Sequence, residues 1–227
     1  MCHEKVSEIL NNLDTFHAAY YETETFRGPS LYFHLKALDC RNCCDAFAEA
    51  SYAMLNSWGM HRMGPGGSKM KYFDVYKSSL NHIWPLVLDA ARFSSKTLSE
   101  VQWKHLKEIF CGIDVMTSGT SLVGNSKIMA HALPHLIPPI DREYTLTYLY
   151  GNGNIRNDKS WEWSRLRQIV STFFYPIIDA TEFLQARKHW NVREFPWDTS
   201  PLKSADNLVI GARKHHSKGK QEPPVSP

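Results

Sequence analysis

Residues 118–150 read S-G-T-S-L-V-G-N-S-K-I-M-A-H-A-L-P-H-L-I-P-P-I-D-R-E-Y-T-L-T-Y-L-Y. Leu122-Val123-Gly124-Asn125-Ser126 reads as a tight glycine turn opening a short helix, and a proline-broken connection follows it. Asp141 then stands where an N-cap belongs, immediately before Arg142-Glu143-Tyr144-Thr145-Leu146. A turn that enters a helix aims backbone N–H groups and the positive end of the helix dipole at an anion. Lys127, in the first turn of that helix, adds a mobile positive charge. A cap alone accounts for Asp141 and is worth ~1 kcal/mol. Beside a bound sugar–phosphate chain, the same carboxylate could stabilise positive charge on a sugar or orient an attacking water.

Working outward, the chain reads as helix after helix. Val6, Ile9, Leu10, Leu13, Phe16 and Tyr20 recur at helical spacing, predicting one helix over 4–21. Gly28-Pro29 breaks the chain, and Ser30 is placed to cap a second helix from Leu31. Phe47, Ser51, Met54, Leu55 and Trp58 mark a third. Phe73, Tyr76, Leu80, Ile83 and Val87 mark another, bent or split at Pro85. Thr97-Leu98-Ser99-Glu100 reads as a capping box. Residues 161–187 read as a long helix that Pro176 kinks or divides, and 202–210 as a last short one. No stretch alternates with period two. The expected fold class is all-α, a multi-helix globular fold in two helical lobes with a cleft between them. It is expected as one domain over 1–211, with a basic, disordered tail over 212–227.

Composition is that of an ordinary globular chain of 227 residues with net charge +3. Residues 1–50 hold 4 Lys/Arg against 8 Asp/Glu, and the remainder 22 against 15. That surplus permits a nucleic-acid partner without requiring one. No apolar run is long enough to span a bilayer, and residues 1–5 do not read as a signal peptide. Five cysteines without a regular framework point to a reducing, cytoplasmic setting. Cys40, Cys43 and Cys44 lack the paired clusters of a zinc site and read as small core residues, so neither metal nor cofactor is expected.

The second unusual stretch is 57–70, S-W-G-M-H-R-M-G-P-G-G-S-K-M. Its glycines and proline exclude a regular helix, while Trp58, His61, Arg62, Met63 and Lys69 are costly choices for an idle loop. A ligand-facing loop and an ordinary connection with Trp and Met packed inward both fit it.

Leu122-Val123-Gly124-Asn125-Ser126-Lys127-Ile128 followed by Pro139-Ile140-Asp141 resembles the helix-hairpin-helix DNA glycosylase superfamily over about 30 residues. There a hydrophobic–x–Gly–x–Gly hairpin grips DNA backbone, and an Asp opening the next helix assists cleavage of the N-glycosidic bond of a flipped-out base. The resemblance implies Leu122, Gly124, Asn125, Ser126, Lys127 and Arg142 on the DNA side and Asp141 as the catalytic carboxylate. It departs from the pattern at Leu122, which replaces the first hairpin glycine. Ser126 holds the position of the nucleophilic lysine of bifunctional members. Lys127 lies one residue on, about 100° round a helix. Taken strictly, this implies a monofunctional enzyme, and a one-residue shift in the turn would make Lys127 the nucleophile. A base-excising enzyme needs a stacking pocket and a wedge, for which Tyr32, His34, Trp58, His61, Arg62 and Met63 are the candidates. Repair and defence against phage DNA carrying modified bases are both compatible with this pattern. A non-catalytic nucleic-acid-binding protein using the same hairpin, and a helical interaction protein in which the hairpin is accidental, remain alternatives.

Overall fold

A computed structural model describes residues 2–25, 27–61, 67–117, 120–191 and 193–218, together with 63–64; of residues 63, 64, 67 and 68 the backbone alone is described. In chain order the helices are α1 (Cys2–Leu10), α2 (Leu13–Tyr21), α3 (Pro29–Asp39), α4 (Cys44–Ser57), α5 (Phe73–Ala90), α6 (Glu100–Gly112) and α7 (Leu122–Ala132). A five-residue π turn, Arg142–Leu146, leads into α8 (Thr147–Tyr150). Then come α9 (Lys159–Ile169), a second π turn (Val170–Phe174), α10 (Tyr175–Asp179), α11 (Thr181–Arg187) and α12 (Pro201–Lys218). Among the described residues the fold is all-helical apart from a minute hairpin, β1 (Met63–Gly64) with β2 (Gly67–Ser68), and an isolated bridge between Met70 and Met116.

Local chemistry sets the helix ends. The helix read over 4–21 is two helices, because the chain breaks at Asn11-Asn12, where Asn12 Nδ2 donates to Glu8 O instead of continuing the ladder. The capping box is shifted by two residues: Ser99 caps α6 and Gln102 closes the box, after a 3-10 turn at Ser95–Thr97. Pro85 lies inside a continuous α5. Pro176 sits in the first turn of α10, directly after the second π turn. A proline there lacks the N–H and crowds the carbonyl four residues back, and a widened turn relieves both.

Two compact units share the chain. One comprises residues 1–26, 141–154 and 171–227, and the other 27–140 and 155–170. In the first, α12 packs along α2 and also meets α1, α10 and the first π turn. Gly211 is what lets α12 approach: a Cβ there would lie 1.8 Å from Phe16 O and 2.8 Å from Phe16 C. Next to this crossing runs a buried polar network. His17 Nε2 is 2.8 Å from Asp198 Oδ2, Tyr21 OH donates to the same oxygen, and Asn207 Nδ2 donates to Asp198 Oδ1 at 2.8 Å. His17 also stacks on Trp190 with ring centroids 4.1 Å apart.

The segment expected as a disordered tail departs from that reading. Helix α12 continues through 212 to Lys218, and residues 219–227 lie outside the described ones. Its basic end meets the acidic N-terminal region: Lys218 Nζ lies 2.8 Å from Glu22, Lys214 Nζ 3.7 Å from Glu24 and His216 Nε2 3.0 Å from Glu8. The opposite charge biases of the first fifty residues and the C-terminal segment are thus partly answered within this unit.

In the second unit, α3 pairs with α4, α4 with α5 and α5 with α6, while α7 touches α3, α4, α6 and α9. Ten of the eleven residues of α7 are buried, which makes it the unit's central helix.

Replacing Gly211 by Ala is expected to destabilise the protein by roughly 1–3 kcal/mol, because backbone rather than a movable side chain stands in the way. At an unobstructed helical position the same change would stabilise. Urea unfolding distinguishes the two directions.

Candidate functional site

The expected glycine turn is a helix. Residues 122–126 are the first five of α7, and Gly124 does not have positive φ. Its lack of a side chain serves packing, since a Cβ would lie 2.8 Å from Met116 Cγ and 3.3 Å from Val115 Cγ1. Val115–Thr117 is held there by the Lys69–Lys71 segment: Lys71 N donates to Val115 O, and Thr117 N donates to Lys69 O, both at 2.9 Å. The glycine therefore marks a close approach, which local sequence does not distinguish from a turn.

The helix N-terminus does hold an anion, and the chain supplies it. Glu162, on α9 and fully buried, accepts on Oε2 from Ser121 N at 2.6 Å and from Leu122 N. The carboxylate thereby meets the positive end of α7 and two N–H groups that helix geometry leaves without intrahelical partners. Asn125 Nδ2 donates to Phe110 O and Ile113 O, at 2.8 and 3.0 Å. Ser126 Oγ donates to Val123 O and accepts from Ile140 N. Leu122, Gly124, Asn125 and Ser126 are all buried, so their expected place against a DNA backbone is overturned. These residues serve the interior instead.

Lys127 is different. It is only 7% exposed, and its Nζ lies 5.3 Å from the centroid of the Trp58 ring. His131, one helical turn on, presents the same face of α7. His34 of α3 meets it, with His34 Nδ1 2.8 Å from His131 Nε2. Trp58, the residue ending α4, has its ring stacked at 6.0 Å on His34 and edge-on at 5.5 Å to His131. The hydrogen bonds fix the tautomers. His131 Nδ1 lies 2.7 Å from Lys127 O, which only accepts, so Nδ1 carries the proton. In the neutral ring Nε2 then accepts, and His34 donates from Nδ1. One unit thus gathers an amine, an indole face and a polarised imidazole pair. His34, Trp58 and Lys127 were among the sequence candidates and are brought together; His131 was not. The signal for it was the four-residue spacing Lys127–His131, visible only once 122–132 is seen as unbroken helix.

The remaining candidates lie elsewhere. Tyr32 is 61% exposed and rests edge-on against Phe33, away from any role in that cluster. His61 is exposed and donates from Nδ1 to Asn56 O at 2.8 Å. Arg62 and the Met63 side chain lie outside the described residues. Asp141 is a cap: its Oδ1 accepts from Glu143 N at 2.9 Å and Tyr144 N at 3.4 Å. What it caps is the π turn Arg142–Leu146, whose Leu146 N donates to Asp141 O at 2.9 Å. Arg142 is exposed at the start of that turn.

Among the described residues no group of three or more His, Cys, Asp or Glu is arranged to hold a metal ion. Burial, and then the Asp45 carboxylate, push the Cys44 thiol up to about 11. No described helix is long and apolar enough to cross a membrane. No protein-family model, curated protein or solved structure matches the chain.

Glu162→Gln keeps the shape of the α7 clamp and removes its charge. The loss is expected to be about 1–3 kcal/mol, as for a hydrogen bond to a charged group. Unfolding midpoints in urea measure it. An unchanged midpoint would mean that the carboxylate does not hold α7.

Proposed function

We propose that this protein is a DNA N-glycosylase and that Lys127 is its reactive amine. The observation that carries the reading is the placement of that amine: buried, over the Trp58 ring and in one cluster with the His34–His131 pair. Removing a base requires a flat surface for stacking, a group that attacks or stabilises the sugar carbon, and a group that takes a proton. Indole, amine and imidazole are chemically suited to those three tasks.

In the proposed step the Lys127 nitrogen forms a bond to C1′. The C1′–N bond to the base breaks, and the base leaves with that electron pair; the C1′–O4′ bond of the adduct then opens, O4′ takes a proton from the nitrogen, and the imine that borohydride reduces is left. The amine must first lose its ammonium proton, and a neighbouring imidazole is the acceptor the cluster offers. Of the two roles open for Lys127 from sequence, this reading takes the nucleophilic one. Asp141 stays in the proposal through the resemblance alone, as the catalytic carboxylate of the family pattern in addition to the cap. The base, and whether the setting is repair or defence against modified phage DNA, are left to the assay. The alternative of a non-catalytic binder using the α7 N-terminus is disfavoured by the buried Glu162 seated there.

The assay is a mass-spectrometric screen for bases released from damaged, uracil-containing and phage-modified DNA. Release is expected, with Lys127→Ala lowering its rate roughly 10²–10⁴-fold while circular dichroism shows a folded chain. Asp141→Asn retains a side-chain oxygen for the cap and is expected to lose activity over the same range. Salt-dependent DNA binding without base release from any substrate would favour the non-catalytic binder.

A further inference from the structure

A second candidate site is a cleft along α4 whose lining residues the proposed chemistry does not use. It is a shallow hollow, widely open to solvent, with a volume of about 590 Å³, lined by Phe33, Glu49, Tyr52, Ala53, Asn56, Ser57 and Phe73. Its floor follows from helix geometry. Glu49, Tyr52, Ala53 and Asn56 are spaced three and four apart on α4, so they form one stripe. Phe33 comes from α3, and Phe73 is the first residue of α5.

The rings are held in place. Tyr52 OH donates to Lys71 O at 2.7 Å, which commits the hydroxyl to the protein and leaves the ring to the cleft. Tyr52 meets Phe73 edge to face at 5.4 Å and stacks on Tyr76 at 5.8 Å. Asn56 Nδ2 donates to Tyr52 O at 2.8 Å, so the amide's other atom, Oδ1, is an acceptor.

Charge decides what such a cleft takes. Among its described lining residues Glu49 is the charged one, and it is exposed. Of the nearby cations, Lys71 Nζ sits 2.6 Å from Asp114 Oδ2, and Lys77 Nζ sits 3.0 Å from Asp45 Oδ1 while also feeling the charge of Glu49. Three aromatic rings with negative faces, a carboxylate and an amide oxygen all favour positive charge. A neutral apolar ligand would use the rings and gain nothing from the carboxylate. An anion would be repelled by both. We propose that this cleft binds a small organic cation, its apolar body against Phe33, Tyr52 and Phe73 and its positive charge toward Glu49. The assignment is independent of the glycosylase reading, because none of the lining residues belongs to the Lys127 cluster.

The test is isothermal titration of the full chain at low ionic strength with 1-methylnicotinamide, a planar cation, and with nicotinamide, its neutral counterpart. Saturable binding of the cation is expected, about tenfold or more tighter than that of the neutral molecule. Glu49→Gln, an exposed change that leaves the packing alone, is expected to remove most of that preference. Phe73→Leu, checked for retained helicity, is expected to weaken binding of both molecules. Absence of saturable binding, equal affinities for the two molecules, or a preference that survives Glu49→Gln would each overturn the proposal.

Discussion

A buried carboxylate at the start of α7 is the constraint from which the larger unit is built. Glu162 brings a charge into the interior, and two backbone N–H groups with the helix dipole compensate it there. That clamp fixes α9 to α7, and α7 is the helix that α3, α4 and α6 also pack against. The polar groups of α7 then follow suit: Asn125 ties it to the end of α6, and Ser126 ties it to Ile140. Gly124 permits the close contact with Met116 on the same side.

The clamp also decides where chemistry can be sought. A helix N-terminus that already holds a carboxylate is a poor place for a phosphate, since two like charges would compete for the same donors. The opposite arrangement holds further along α7, where Lys127 and His131 face Trp58 and His34. The amine, the indole and the two imidazoles at this face of α7 are the grouping on which the proposed function rests.

Much of this architecture was legible in the sequence, and the limits have a physical pattern. Features set by neighbours along the chain read well. Asp141 as a cap, the break at Gly28-Pro29, and the division of the 161–187 helix before Pro176 depend on residues within a turn of one another. Residues 4–21 read as one helix because their apolar spacing runs through Asn11-Asn12, whose preference for local side-chain bonding outweighs periodicity. Features set by distant residues did not read. Gly124 looks like a turn until Met116 is placed against it, and the α7 N-terminus looks vacant until Glu162 arrives from forty residues on. The helical end of α12 was missed for the same reason, since Glu22 and Glu24 lie nearly two hundred residues before the lysines they meet. Of the candidate site, His34, Trp58 and Lys127 stood out as costly residues in odd stretches. His131 looked ordinary until the helix phase was known.

The most direct measurement of the central claim is borohydride trapping of the protein on a DNA that it processes, followed by peptide mapping of the adduct. The account predicts a covalent adduct on the peptide carrying Lys127, absent from Lys127→Ala. Base release without any trapped adduct, or an adduct mapped to another residue, would contradict it.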